Sequence, residues 1–158
     1  MSIDNGFKAR RSLLKTLAVS LAIAGLPAMA TAGTRITVYK NPDCGCCNDW
    51  IRILQANGFV VEARNTGNDE IRKRMGLPER YGSCHTGVVD GYLIEGHVPV
   101  REIRRLLKEK PVALGIAVPG MPIGSPGMDG PEYRGRKDPY DVLLVGKDGR
   151  SAVYQRYV

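Results

Sequence analysis

The chain has 158 residues, 43% of them apolar and 25% charged, which fits one ordinary globular domain. A single Trp and two Phe leave the core to be built mainly from Val, Ile and Leu. The formal charge is +7, but four of the 23 basic and one of the 16 acidic residues lie in the first 32, so the remainder carries +4. That charge favours solubility and gives no ground for a nucleic-acid partner.

The first 32 residues carry an export pattern. Lys8, Arg10 and Arg11 form a positive region, and Leu13 to Leu26 is a short apolar stretch. Ala28-Met29-Ala30 and Ala30-Thr31-Ala32 are A-x-A cleavage patterns, so the mature chain is expected to begin at Thr31 or Gly33. Arg10-Arg11-Ser12-Leu13-Leu14-Lys15 resembles a twin-arginine signal, although paired basic residues also occur in ordinary secretory signals. The apolar stretch is shorter than the ~20 residues that a spanning helix needs, and no later one is longer. The expectation is a signal peptide over residues 1–32, a single domain over 33–158, a periplasmic location and no membrane insertion of the mature chain.

Ile36 to Tyr39 reads as a strand, broken by Asn41-Pro42-Asp43. Beyond the cysteines, Trp50, Ile51, Ile53 and Leu54 predict an amphipathic helix that stops at Asn57-Gly58. Phe59 to Ala63 is a second strand, and Asn68 to Met75 a short helix closed by Gly76 and Pro78. Thr86 to Val89 and Tyr92 to Glu95 flank Asp90-Gly91, a hairpin signal. Pro99 opens a helix through Ile103, Leu106 and Leu107. Its Arg101, Arg104, Arg105, Lys108 and Lys110 read as a solvated face, without the interleaved aromatics that stacking on nucleic acid needs. The order β-α-β-α-β-β-α is the thioredoxin arrangement, an α/β fold with a mixed sheet and flanking helices. Residues 115–139 are rich in Gly and Pro and predict a long loop. Asp141 to Val145 and Ala152 to Tyr157 predict a C-terminal hairpin.

All four cysteines fall in two motifs. Cys44-Gly45-Cys46-Cys47 lies between the first strand and the first helix, and Cys84 is followed directly by His85. Cys44 and Cys47 have the C-x-x-C spacing that places a thiol at a helix N-terminus, where free N–H groups and the helix dipole stabilise a thiolate. Thiolate is both the redox nucleophile and the metal ligand, so the spacing suits either chemistry. Cys46 has no place in simple dithiol exchange. In a thioredoxin-like fold the segment before the hairpin passes beside the C-x-x-C turn, which brings Cys84 and His85 towards it. Thiolate-rich sites prefer Cu(I) or Zn, and thioethers add preference for Cu(I); Met121 and Met128 in the Gly/Pro loop are candidates for that role. His97, in Glu95-Gly96-His97-Val98-Pro99, is a further candidate ligand beside a simpler structural role. Two structural disulfides, a metal-free dithiol oxidoreductase and zinc binding stay open as alternatives.

The set V-Y-K-N-P-D-C-G-C-C, S-C-H-T-G-V-V-D-G-Y, E-G-H-V-P and V-P-G-M-P-I-G-S-P-G-M resembles the CopG-type family of periplasmic copper-resistance proteins. The resemblance runs from about Thr34 to Tyr157. It implies a thioredoxin-like fold and copper binding through Cys44, Cys46, Cys47, Cys84 and His85. The expected function is Cu(I) binding in a multinuclear thiolate cluster, with His85 completing or tuning it and the loop of Met121 and Met128 limiting access. A sequestering or redox role in copper resistance follows, with a copper efflux or oxidase protein as partner. A copper chaperone without redox cycling is the neighbouring alternative, and no catalytic residue is assigned.

Overall fold

The computed structural model describes residues 33–158, so the expected signal peptide lies outside the described residues. Strand β1 (Arg35–Lys40) leads into helix α1 (Gly45–Ala56), strand β2 (Val60–Arg64) and helix α2 (Asp69–Met75). A 3-10 turn at Glu79–Tyr81 precedes the hairpin of β3 (His85–Val89) and β4 (Tyr92–Glu95), which feeds helix α3 (Val100–Glu109). Strand β5 (Gly115–Ala117), a 3-10 turn at Pro131–Tyr133, and strands β6 (Tyr140–Val145) and β7 (Ser151–Tyr157) complete the chain. One seven-stranded sheet runs in the order β2-β1-β3-β4-β5-β6-β7. Strands β1 and β2 are parallel, β3 is antiparallel to β1, and β4 is antiparallel to β3. These directions and the chain order are those expected of a thioredoxin-like scaffold.

The α1 pattern follows from its apolar spacing. Cys47, Trp50, Ile51 and Leu54 are its buried residues, which places one stripe of the helix against the sheet. The Asn57 side chain donates to the Ile53 carbonyl at 2.9 Å, and Gly58 then takes φ +82°. The hairpin turn is equally local: Asp90 and Gly91 both have positive φ, 47° and 80°, which two-residue hairpin loops of the primed type require. Helix α3 buries Glu102, Ile103 and Leu106 and leaves Arg101, Arg104, Arg105 and Lys108 exposed, the solvated basic face that its sequence predicts.

The core joins Ile36 and Val38 of β1, Trp50, Ile51 and Leu54 of α1, Ile94 of β4, and Ile103 and Leu106 of α3. The stretch 115–139 differs from its expectation as an unbroken loop, because Gly115–Ala117 enters the sheet between β4 and β6. Its three residues are all buried, so they show no alternation from which a strand can be read. This short strand ties the C-terminal hairpin onto the first four strands, making one sheet instead of two. No helix among the described residues is long and apolar enough to cross a membrane.

Candidate metal centre

Three chain segments meet at the N-terminus of α1. Cys44 caps the helix with extended backbone (φ −76°, ψ 98°), and Cys46 and Cys47 occupy its first turn. Among the described residues no side chain caps this end, so its backbone N–H groups and the positive end of its dipole face the cysteines. The buried Lys40 ammonium donates to the carbonyls of Asn41 at 3.0 Å and Pro42 at 3.2 Å, fastening the turn that delivers Cys44.

Cys84 arrives from the segment before β3. Its sulfur lies 3.5 Å from Cys47 Sγ and 3.9 Å from Cys46 Sγ, and Cys46 Sγ is 3.6 Å from Cys44 Sγ. The four sulfurs all lie within 4.8 Å of one another. Cys44 and Cys47 are joined as a disulfide, while Cys46 and Cys84 are free thiols, each half-buried. Burial, reinforced by the neighbouring Cys46, pushes the Cys84 thiol up to about 12.

Two imidazoles flank Cys84. His85 Nδ1 lies 3.3 Å and His97 Nε2 3.2 Å from its sulfur, and both rings are fully buried. Burial holds His85 at about 3 and also lowers His97, so both are neutral near pH 7. His97 Nδ1 sits 2.9 Å from the Pro126 carbonyl, an acceptor only. That contact places the His97 proton on Nδ1 and turns the Nε2 lone pair towards Cys84. The His85 ring packs on Trp50 with centroids 4.3 Å apart and meets His97 edge-on at 4.8 Å. Among the described residues His85 Nε2 is buried without a hydrogen-bond partner. Trp50 in turn donates its indole N–H to the Val98 carbonyl at 2.9 Å, beside His97.

A polar clamp sets the position of Cys84. The buried Glu95 carboxylate accepts the Ser83 backbone N–H at 2.7 Å and the Thr86 hydroxyl at 2.5 Å. Asn68 donates to the Ser83 carbonyl and to the Thr86 hydroxyl oxygen, each at 3.2 Å. Burial raises Glu95 to about 7 in spite of these donors and of Arg72 nearby.

The Gly/Pro loop closes over this arrangement at two places. Gly127, at φ +85°, presses its backbone on the start of α1, where a Cβ would lie 2.9 Å from both the Cys46 carbonyl oxygen and the Trp50 nitrogen. At the other end Gly120 accepts the Ser83 hydroxyl and donates its N–H to Gly82 at 3.1 Å. The two methionines separate here. Met128 is buried, and its thioether accepts the Tyr133 hydroxyl at 3.4 Å, whereas Met121 is 53% exposed.

The structure thus gathers Cys44, Cys46, Cys47, Cys84, His85 and His97, all of them sequence candidates. Trp50 and Glu95 were legible only as a helix and a strand residue, although a charged residue ending an apolar strand, just before Gly-His, was a signal for Glu95. Among the described residues the two groups of donors contain only sulfur and imidazole, a set for soft and borderline metals.

Fold and site together define an α/β protein with a cysteine- and histidine-rich centre whose donors could hold a metal ion. Residues 81–128 match the family model described as a protein of unknown function, DUF411. The solved structure "Copper resistance protein copG- Form 2" is 42% identical, covering 80% of this chain and 99% of that one at a TM-score of 0.73. "Copper resistance protein copG- Form 1" is 43% identical, covering 79% and 98% at the same TM-score of 0.73. This chain belongs to the CopG family. Among curated protein sequences, none matches.

Proposed function

We propose that this protein is an exported, periplasmic copper-binding protein that holds Cu(I) on the reduced thiolates of Cys44, Cys46, Cys47 and Cys84. The observation that carries this reading is the convergence of all four sulfurs within 4.8 Å, from positions 40 residues apart in the chain. Copper is the cargo. Opening the Cys44–Cys47 disulfide takes two electrons and two protons and yields the full set of four thiols. Four thiolates around one ion make a closed site, whereas sulfurs that bridge several Cu(I) ions leave room for a multinuclear cluster. His85 and His97 supply nitrogen donors at the Cys84 end, and the loop bearing Met121 and Met128 limits access of solvent and oxygen. The role is to sequester copper or to change its oxidation state in copper resistance, with transfer to an efflux or oxidase protein. Two solved relatives titled copper resistance proteins support this reading.

Anaerobic titration of the reduced chain with Cu(I), followed by elemental analysis, tests it. More than one copper per chain is expected. Weak or absent binding overturns the reading.

A second reading rests on the Cys44–Cys47 disulfide at the start of α1, the position of a dithiol oxidoreductase. It predicts reduction of a protein disulfide that needs only Cys44 and Cys47.

A further inference from the structure

The disulfide removes two of the four sulfurs from any metal site, yet it leaves a second set of donors intact. Cys84, His85 and His97 form their own group, with one ligand atom from each lying within 4.8 Å of the others. We propose that the chain with Cys44–Cys47 closed keeps a mononuclear site of one sulfur and two imidazoles on these three residues. Its ligand is a single copper- or zinc-class cation. It shares Cys84 with the four-thiolate site proposed above but does not depend on it.

Three observations carry this. The first is span. A metal bonded at about 2.3 Å to sulfur and about 2.0–2.1 Å to nitrogen holds S and N about 3.6–3.8 Å apart at tetrahedral to trigonal angles. The observed Cys84 Sγ separations, 3.3 Å to His85 Nδ1 and 3.2 Å to His97 Nε2, need only a few tenths of an ångström of opening, within reach of small side-chain rotations.

The second is orientation. A histidine ligand ordinarily donates its other ring N–H to a carbonyl or carboxylate, which fixes its tautomer and direction. His97 Nδ1 already makes that bond to the Pro126 carbonyl at 2.9 Å, leaving Nε2 as the donor atom towards Cys84. The loop is therefore the outer support of this ligand.

The third is the burial of His85. The ring is fully buried, and among the described residues its Nε2 has no hydrogen-bond partner, so its one polar contact is Nδ1, 3.3 Å from Cys84 Sγ. Trp50 packs against the ring at a tilt and donates to the Val98 carbonyl, so one side chain steadies both histidine segments.

The dithiol state then selects the donors. With the disulfide open, Cys84 is one of four thiol sulfurs. With it closed, Cys84 retains two nitrogen partners and the single thiol of Cys46 at 3.9 Å. The closed state favours a borderline cation, because imidazole replaces thiolate as the majority donor.

Co(II) is the probe, since it reports sulfur ligation by colour and does not oxidise thiols. The purified chain, with its disulfide intact and no added reductant, is titrated anaerobically. One Co(II) per chain is expected, with a sulfur-to-cobalt charge-transfer band. X-ray absorption on that complex should give one sulfur and two imidazole nitrogens. Cys46→Ser should keep the band, while Cys84→Ser and His97→Gln should weaken binding at least tenfold. Two sulfurs in the absorption spectrum, loss of the band in Cys46→Ser, or no thiolate band in the parent chain would each overturn the proposal. The absorption measurement uses the unaltered chain, so a His97 variant that fails to fold does not blunt the test. Failure of the reduced chain to take up Cu(I) would count against the four-thiolate reading alone.

Discussion

His97 and Cys84 are separated by 12 intervening residues and the whole β3–β4 hairpin, yet His97 Nε2 lies 3.2 Å from Cys84 Sγ. The hairpin brings its two ends together: the Gly96 N–H bonds the His85 carbonyl at 3.0 Å, just inside Cys84 and His97. The Asp90-Gly91 turn sets the hairpin register, so a local turn preference reaches the site through the four residue pairs from Val89–Tyr92 to Thr86–Glu95.

Cys46 distinguishes a four-sulfur site from one built on the Cys44–Cys47 pair alone. Cys46→Ser leaves the Cys44–Cys47 pair in place and removes the sulfur that lies 3.6 Å from Cys44 and 3.9 Å from Cys84. The expected result is a lower Cu(I) count per reduced chain with disulfide formation retained. Elemental analysis beside thiol counting checks both.

Gly127 is the point where the loop seats on α1. Gly127→Ala meets backbone atoms at 2.9 Å on two sides, and its φ of +85° disfavours any L side chain. We expect a loss of about 1–3 kcal/mol, the usual scale for forcing a residue into such a position. Faster proteolysis within residues 115–139, with the rest of the fold retained, is the signature that the loop has lifted.

Trp50 joins packing to the site. Trp50→Phe removes the donor to the Val98 carbonyl and leaves that buried acceptor unpaired, at a cost of about 1–3 kcal/mol. Trp50→Ala adds a cavity in the core, for a total of about 3–5 kcal/mol. Denaturant unfolding of the metal-free chain should rank the two in that order.

Glu95 makes stability depend on pH in a direction opposite to the histidines. Its folded value of about 7 lies above the ordinary 4.5, so the folded metal-free chain holds a proton that the unfolded chain has lost. Stability from this group therefore falls as pH rises from about 4.5 to 7, by about 3 kcal/mol. His85, held at about 3 against an ordinary 6.5, acts the other way, and its share is lost as pH falls below 6.5. His97 shifts in the same direction as His85. The wild-type profile is thus a partial cancellation. The difference in stability between wild type and Glu95→Gln isolates the first effect and should shrink in favour of the variant between pH 4.5 and 7. A flat difference would mean that Glu95 is not buried as an acid.

Much of the fold was legible because its elements are locally encoded. The apolar spacing of Trp50, Ile51 and Leu54, the Asp-Gly turn and the Pro99 helix start each act within a few residues. Strand β5 was not, since three buried residues carry no period and are held only by β4 and β6. For the site, the two cysteine motifs and the candidacy of His85 and His97 were visible as residue types. Trp50 and Glu95 were not, because their roles depend on what packs against them.

The sequence by itself determined the chemistry of the centre: sulfur and imidazole donors, a helix start beneath them and a glycine-rich loop to cover them. The tertiary structure decided which donors face one another. His97 joins Cys84 because the hairpin closes, Met128 is buried against Tyr133 while Met121 is exposed, and Glu95 grips Ser83 from the opposite strand of the hairpin. The physical reason is distance along the chain. Donor type is a property of each residue, whereas contacts between residues tens of positions apart exist only once the strands have paired and the core has packed.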